Sequence, residues 1–374
     1  HTAVTVWNGD LVVAGNDKLQ RWTGSAWQEI GTFDSAVNTA SVSSLVVWNG
    51  NLYAGGRFDT VNGFTANNVA CWNGSTWSPL GAGVDESGFQ VGWVSALCVY
   101  QNVLYVGGSF DSAGTVTTHN LAIWNGNTWV ATDGCNDTVT CLAARIGTST
   151  LNSYLFVGGA FTAVGSFAVD RVARYLGATN TWTAMGSLAA SSEAPRALFV
   201  RATGLSSYEL VAVLRERLWL WSGTVWNQLG PPVETAAPYL VGSRAIGTIA
   251  WYGGRYTVGL EDYWGHVGGG WSLDANVWQS LDGAGIDRPV NVVLPVGDDL
   301  VLGGAFRSIS GMLTNGVAIG GQGNWQALGG GVTGGTGEVL ALARLPNGDL
   351  VAGGTFAIAT GGVADRIARW NGTT

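Results

Sequence analysis

The sequence predicts an all-β fold made of repeated antiparallel units, and three observations carry that prediction. First, a segment of the form Leu-x-x-Gly-Gly-x-Phe returns along the chain. It reads Leu52-Tyr-Ala-Gly-Gly-Arg-Phe58, Leu104-Tyr-Val-Gly-Gly-Ser-Phe110, Leu155-Phe-Val-Gly-Gly-Ala-Phe161, Leu300-Val-Leu-Gly-Gly-Ala-Phe306 and Leu350-Val-Ala-Gly-Gly-Thr-Phe356. Second, the step between adjacent copies is about 50 residues, the size of one four-stranded propeller blade. Third, composition is extreme: 58 Gly and 19 Trp in 374 residues, with only 11% charged side chains. Disordered chains and coiled coils need more charge and fewer aromatics. Degenerate copies at Leu11-Val-Val-Ala-Gly15, Leu210-Val-Ala-Val-Leu214 and Tyr256-Thr-Val-Gly-Leu260 bring the number to eight. The expected fold is therefore a single β-propeller spanning 1–374, of about eight four-stranded blades, with seven as the alternative. Blade limits fall roughly at 1–34, 35–84, 85–134, 135–190, 191–233, 234–286, 287–332 and 333–374.

Each copy reads as four short strands. The first is an apolar run such as Ser44-Leu-Val-Val-Trp48 or Ala96-Leu-Cys-Val-Tyr100. An Asn-Gly turn follows in the first two copies, at Asn8-Gly9 and Asn49-Gly50, suited to the positive φ that a type I′ hairpin demands. The second strand is the Gly-Gly segment, where glycine marks close backbone approach to the next blade. The third ends in an aromatic before another Asn-Gly, as in Ala70-Cys-Trp72-Asn-Gly74 and Ala122-Ile-Trp124-Asn-Gly126. The fourth carries a second Trp and closes on Leu-Gly, as in Trp77-Ser-Pro-Leu-Gly81, Trp226-Asn-Gln-Leu-Gly230 and Trp325-Gln-Ala-Leu-Gly329. Pairs such as Trp72/Trp77 can then pack across the hairpin. Such a unit buries its faces only by stacking on its neighbours, and antiparallel hairpins favour radial blades over a parallel solenoid.

The string Gly158-Gly-Ala-Phe-Thr-Ala-Val-Gly-Ser-Phe-Ala-Val-Asp-Arg-Val-Ala-Arg-Tyr175 resembles the delta-sixty type of propeller repeat, as does Gly353-Gly-Thr-Phe356 with Asp365-Arg-Ile-Ala-Arg-Trp370. Those repeats occur in long bacterial surface proteins and in a fungal cortical membrane protein. The likeness is strong in copies two, three, four, seven and eight, and weak in one, five and six. It implies a kelch-like propeller and brings no catalytic residues.

Composition narrows the function. Net charge is −8, Lys18 is the only lysine, and the arginines are scattered. A basic stripe for nucleic acid or anionic lipid is therefore missing. No apolar run reaches the length of a membrane-spanning helix, so membrane insertion is not expected. Polar surface carried by Thr, Ser, Asn and Gly points to a secreted or cell-surface location. His1 in place of Met suggests a processed form or a piece of a longer chain.

Catalysis finds little support. Only His1, His119 and His266 are available, and no Gly-x-Ser-x-Gly elbow occurs. Glu261-Asp262-Tyr-Trp264-Gly-His266 is the one patch uniting acids, aromatics and histidine, in the most divergent copy. A propeller hydrolase would need paired carboxylates there. The Gly-Gly pairs lack the following helix and Lys of a phosphate loop. No cofactor is implied; calcium is left open by loops such as Phe58-Asp-Thr-Val-Asn-Gly63, which offer one carboxylate each. Cys71, Cys98, Cys135 and Cys141 match no zinc spacing. Cys135 and Cys141 flank a short polar loop and are expected to form a disulfide, while pairing of Cys71 with Cys98 is open. Glycosylation sequons stand at Asn73, Asn136 and Asn371, with Asn136 the best acceptor.

Loop length separates the two ends of each blade. First-to-second and third-to-fourth connections are tight; second-to-third and fourth-to-first are long and variable. Function usually resides on such elaborated loops. The candidate ligand-binding residues are therefore Asp85, Glu86, Phe89, Trp93, His119, Asp170, Arg171, Glu261, Trp264, Asp365 and Arg366. The expected role is a non-catalytic protein-interaction or assembly module, with a sugar-binding lectin using exposed Trp or Tyr as the alternative. Copy eight stops at Trp370-Asn-Gly-Thr-Thr374, inside the turn before a fourth strand. Its last blade is thus expected to lack an outer strand and to invite strand addition.

Overall fold

The computed structural model describes residues 3–15, 17–23, 26–85, 92–188, 193–233, 244–262, 269–275, 277–281, 286–321, 324–360, 362–364 and 366–373. It is all-β and propeller-like, an array of antiparallel sheets met in chain order. The second sheet is representative: Ser41–Trp48, Asn51–Arg57, Val69–Trp72 and Trp77–Pro79 pair in sequence. Burial explains its composition. The second strand is buried from Leu52 to Gly56 and the third throughout, so both are continuous apolar runs. In the outer strand only Trp77 is buried, followed by exposed Ser78 and Pro79.

The chain divides into two compact units, His1–Leu214 with Trp219–Asn227, and Arg215–Leu218 with Gln228–Thr374. The first unit holds the first four sheets and most of the fifth, Ala197–Ala202 to Trp226–Leu229. The second unit holds three further sheets. Arg244–Tyr252, Arg255–Asp262, Gly269–Asp274 and Val277–Ser280 make the sixth. Val290–Val296, Asp299–Gly304, Val317–Gly321 and Asn324–Ala327 make the seventh. The eighth has three described strands, Val339–Arg344, Leu350–Gly354 and Ile367–Trp370.

Within each unit the core lies between successive sheets. One buried cluster joins Val12 and Leu19 of the first sheet to Leu52, Ala70 and Trp77 of the second. Another joins Leu302 and Trp325 of the seventh sheet to Ala250 of the sixth. The two glycines of the repeat turn out to do different jobs. A Cβ on the first would strike the next sheet: at Gly55, Gly107 and Gly303 it would lie 2.6 Å from Cγ1 of Val94, Val139 and Val339. A Cβ on the second would strike a carbonyl of its own sheet's first strand or the residue before it, Ser41 for Gly56 and Trp93 for Gly108. There the pairing register slips, between Val42 and Ser44 and between Val94 and Ala96. The expectation that both glycines face the neighbouring blade is corrected accordingly.

Turn chemistry also divides. Asn8-Gly9 and Asn49-Gly50 have positive φ at both residues, as a type I′ turn requires. At Asn73-Gly74 only Gly74 does; the Asn73 side chain instead accepts N–H bonds from Ser75 and Thr76, both at 2.9 Å. This is an Asx turn.

Candidate functional site

The tight-turn end of several sheets is tied to the next by a long side chain, aromatic in all but one of them. The last residue of a first strand reaches the first turn of the following sheet. Trp7 Nε1–H donates to the Gly50 carbonyl at 2.7 Å, and Trp48 Nε1–H to Asn102 Oδ1 at 3.3 Å. Tyr100 donates its hydroxyl to the Ser153 carbonyl at 2.8 Å and accepts the Gly177 N–H at 2.9 Å, clasping both same-end connections of the fourth sheet, the longer 146–153 with its short helix Thr150–Asn152 and the turn at 177–180. Arg145 takes this role toward Leu205, and Tyr252 toward Asp298 in the second unit. The outer-strand tryptophans run the opposite way. Trp77 donates to the Ile30 carbonyl at 2.5 Å, Trp129 to Leu80 at 2.6 Å, Trp278 to Pro231 at 2.8 Å and Trp325 to Leu281 at 3.3 Å. Tryptophan abundance is thus in large part framework.

The opposite end carries an element that sequence patterning missed. Each long second-to-third loop with a full Gly-Gly motif folds into a small hairpin: Thr60–Val61 with Phe64–Thr65, Ser112–Ala113 with Val116–Thr117, and Ala163–Val164 with Phe167–Ala168. In the second unit, Ser308–Ile309 pairs with Met312–Leu313, and Ile358–Ala359 with Gly362–Val363. The hairpin base is held by the segment leaving the preceding sheet: Phe33 opposes Val61, Val84 opposes Ala113 and Val332 opposes Ala359. Base residues Val61, Ala113, Val164 and Ile309 are buried. Four of the five hairpins expose an apolar residue at one of the two positions after the turn, Phe64 at 64% and Phe167 at 55% at the first, Leu313 at 66% and Val363 at 95% at the second; in the remaining hairpin Val116 is half-buried and Thr117 exposed. The recurring Gly, Asn and Ser after the base residue was the available signal, a turn signature two residues short of a conventional strand.

The sequence-predicted residues scatter around these hairpins. Asp85 pairs with Ser112, and its carbonyl accepts the Asp111 N–H at 2.9 Å. Asp111 in turn lies 3.3 Å from His119 Nδ1, both side chains exposed. Asp85 and His119 are therefore brought to one hairpin. Trp93 is half-buried under the Arg57 guanidinium, 4.8 Å from its ring, with Nε1–H on Ser95. Asp170 pairs with Arg171 at 2.8 Å and accepts the Ser187 hydroxyl, an arrangement that fixes the loop. Arg171 and Arg366 occupy the same left-handed position, φ 64° and 73°, where Asn68 and Asn120 stand elsewhere. Asn68 bridges Phe58 N–H to the Val84 carbonyl, and Asn120 bridges Phe110 N–H to the Cys135 carbonyl. Glu261 lies on the strand Arg255–Asp262, opposite Ala245. Glu86, Phe89, Trp264 and Asp365 lie outside the described residues.

The expected Cys135–Cys141 disulfide is not formed; all four cysteines are thiols. Cys135 is buried in a β-bridge with Val164, while Cys141 Sγ lies 3.6 Å from the Pro195 carbonyl and packs against Gly158. The two side chains are thus committed to different packing layers. Burial pushes the Cys98 and Cys141 thiols up to about 12, and raises Cys135 as well. At the sequons, Asn136 uses its side chain structurally, accepting N–H bonds from Thr162 and Ala163 at 2.8 and 2.9 Å. Asn73 and Asn371 are exposed turn residues whose carbonyl oxygens likewise accept backbone N–H groups. In the loop Phe58–Gly63, the Asp59 carboxylate accepts the Ala36 N–H at 2.6 Å and Asn62 the Thr32 N–H at 2.8 Å.

No known family's sequence profile matches the chain, and no curated protein matches it. Solved structures do. One is the extracellular domain of a one-component system, BT4673, from B. thetaiotaomicron, with a TM-score of 0.50 and 14% identity; 94% of this chain covers 42% of that one. Another is Sqt1 of Saccharomyces cerevisiae, with a TM-score of 0.58 and 12% identity over 94% of this chain and 92% of that one. The chain spans less than half of the first and nearly all of the second. At such identities the likeness is one of fold. Among the described residues, no helix is long and apolar enough to cross a membrane.

Proposed function

We propose that the chain is a β-propeller of about eight delta-sixty-type blades that serves outside the cell, or at its surface, as a non-catalytic interaction and assembly module. The observation that carries this reading is the recurring exposed apolar hairpin tip: Phe64 and Phe167 in the first unit, Leu313 and Val363 in the second. Buried, hydrogen-bonded bases hold these tips rigidly, and interface cores favour such preorganised apolar and aromatic anchors. The extracellular placement draws on the polar surface composition and on the neighbour whose solved part is an extracellular domain. A photo-crosslinking phenylalanine analogue at position 64 or 167, introduced in the source organism, should give discrete protein adducts. The same analogue at Ser75, on the tight-turn end, should give none. A glycan array provides the counter-test, since sugar binding lost on Phe64→Ser or Phe167→Ser would favour a lectin instead.

A further inference from the structure

The first-to-second connection is two residues long in sheets one, two, three, six and seven. In the fourth and fifth sheets, neighbours within the first unit, it grows to residues 146–153 and 203–207. Hydrogen bonds fix the longer connection: Ser149 N–H donates to Asn152 Oδ1 at 2.9 Å, and Gly147 N–H to Ser153 Oγ at 2.9 Å. Yet Ile146, Leu151 and Leu205 stand out in solvent, at 68%, 64% and 79% exposure. The eighth sheet also has a longer connection, 345–349, and there Leu345 is buried. Length alone therefore does not put an apolar side chain in water.

Beneath these three residues lies a buried cation with no acid. Arg145 ends the first strand of the fourth sheet. Its Nη1–H donates to the Asn152 carbonyl and its Nη2–H to the Leu205 carbonyl, the latter at 3.0 Å, so one guanidinium holds the two connections side by side. That guanidinium lies 5.6 Å from the Tyr208 ring, and its Nε–H has no acceptor. Arg174, on the third strand Val172–Leu176, reaches the same tyrosine and donates Nη1–H to its hydroxyl at 3.4 Å. Its guanidinium lies 4.8 Å from the Tyr154 ring, and its Nε–H is likewise unanswered. The Tyr154 and Tyr208 rings are 5.7 Å apart, and the Tyr154 hydroxyl donates to the Leu151 carbonyl at 3.5 Å. Among the described residues neither arginine meets a carboxylate, whereas Arg21, Arg171, Arg201, Arg255 and Arg369 each do.

We propose that this corner of the tight-turn end is a second interaction surface, fitted to an acidic segment of a protein partner in which Asp or Glu stands beside Leu or Ile. The partner's apolar side chains cover Ile146, Leu151 and Leu205, and its carboxylate faces the half-buried Arg174. Two guanidiniums without counter-ions make the corner locally positive on a chain of net charge −8. An acid that arrives with apolar cover meets that charge where water is excluded, and charge-assisted hydrogen bonds gain most there. Tyrosine and arginine are also the residues that most often anchor protein interfaces. Two cations are too few for a membrane surface or a phosphate backbone, which are held by runs of basic residues. The surface shares no residue with the hairpin tips Phe64, Phe167, Leu313 and Val363, so it stands or falls separately from the interaction reading above.

The test is selection from a displayed library of random dodecapeptides on the intact protein. The library is first depleted on Leu205→Asp protein, whose change is at an exposed position, so that peptides bound elsewhere are discarded. Enriched sequences should place Asp or Glu beside Leu or Ile. In anisotropy titrations of the best labelled peptide, Leu151→Asp should weaken binding at least about tenfold. Raising salt from about 0.05 to 0.5 M should weaken it several-fold, and Arg174→Gln should remove most of that salt dependence. The exposed leucine variants keep the test decisive even if Arg174→Gln fails to fold. Phe64→Ser should leave binding unchanged, which separates this surface from the hairpin tips. No peptide enriched after depletion, enrichment without acids, or binding indifferent to Leu151→Asp overturns the proposal. Sedimentation with vesicles of phosphatidylserine and phosphatidylcholine that is lost on Leu205→Asp would assign the surface to lipid and overturn it as well.

Discussion

Replacing Tyr100 by Phe removes one oxygen and keeps the ring. Tyr100 is fully buried, and its ring lies about 6 Å from those of Tyr105 and Tyr175, contacts that Phe preserves. The hydroxyl, however, serves two groups: the Ser153 carbonyl and the Gly177 N–H. Ser153 is buried, so its carbonyl would lose its partner where water does not easily replace it; Gly177 is half-buried and recovers part of its loss. An orphaned buried polar group costs about 1–3 kcal/mol. The expected loss is therefore about 2 kcal/mol, or roughly 2–3 °C in Tm at this size. Tyr252→Phe is the control, because its hydroxyl meets the Asp298 carbonyl at an exposed site and its loss should stay below about 1 kcal/mol. Urea unfolding of both variants measures the difference, and hydrogen exchange at Gly177 should accelerate only in Tyr100→Phe. A loss below about 0.5 kcal/mol, or equal losses in the two variants, would refute the idea that the tie to both turns matters.

Gly303→Ala should destabilise by about 1–3 kcal/mol through overpacking against Val339 and Val292; Gly15→Ala, with open space around it, should be neutral or slightly stabilising in thermal unfolding. The buried Cys141 thiol, raised from 9 to about 12, must stay protonated in the folded state. Its contribution is complete below pH about 9 and is lost as pH climbs toward 12, so Cys141→Ala should flatten the alkaline fall in stability. The same free thiols predict four alkylations after unfolding without reductant and none at Cys135 or Cys141 in the folded state, read by mass spectrometry.

Much of the fold was legible because the repeat states it several times. Gly-Gly, Asn-Gly and the paired tryptophans each mark a strand end or turn. What could not be read was the direction in which a side chain reaches. Trp77 and Trp48 are both apolar strand residues, yet one bonds back to Ile30 in the preceding sheet and the other forward to Asn102 in the next. Cys135 and Cys141 are close in sequence, but the bulge between Val139 and Cys141 settles which way each thiol faces. The candidate site suffered from the same limit. Asp170 and Arg171 looked like loop residues available to a ligand, and instead close on each other and on Ser187. Their polarity was visible in the sequence, and their commitment to loop geometry was not.

The two ends of each sheet are therefore under different constraints, and this bears on where recognition can evolve. At the tight-turn end, a change to Trp7, Trp48 or Tyr100 disturbs the following sheet as well as its own, because each reaches a neighbouring turn. At the hairpin end, the constraint falls on the base: Val61, Ala113, Val164 and Ile309 are buried and pair with, or sit beside, the segment leaving the previous sheet. Three residues further on the constraint is weaker: Phe64 and Phe167 are exposed, while Val116 and Met312 still pack in part on the core. The corresponding positions hold Phe64, Val116, Phe167, Met312 and Gly362, a wide range of size. A rigid base with a freely chosen tip is what a binding surface on a repeat scaffold requires.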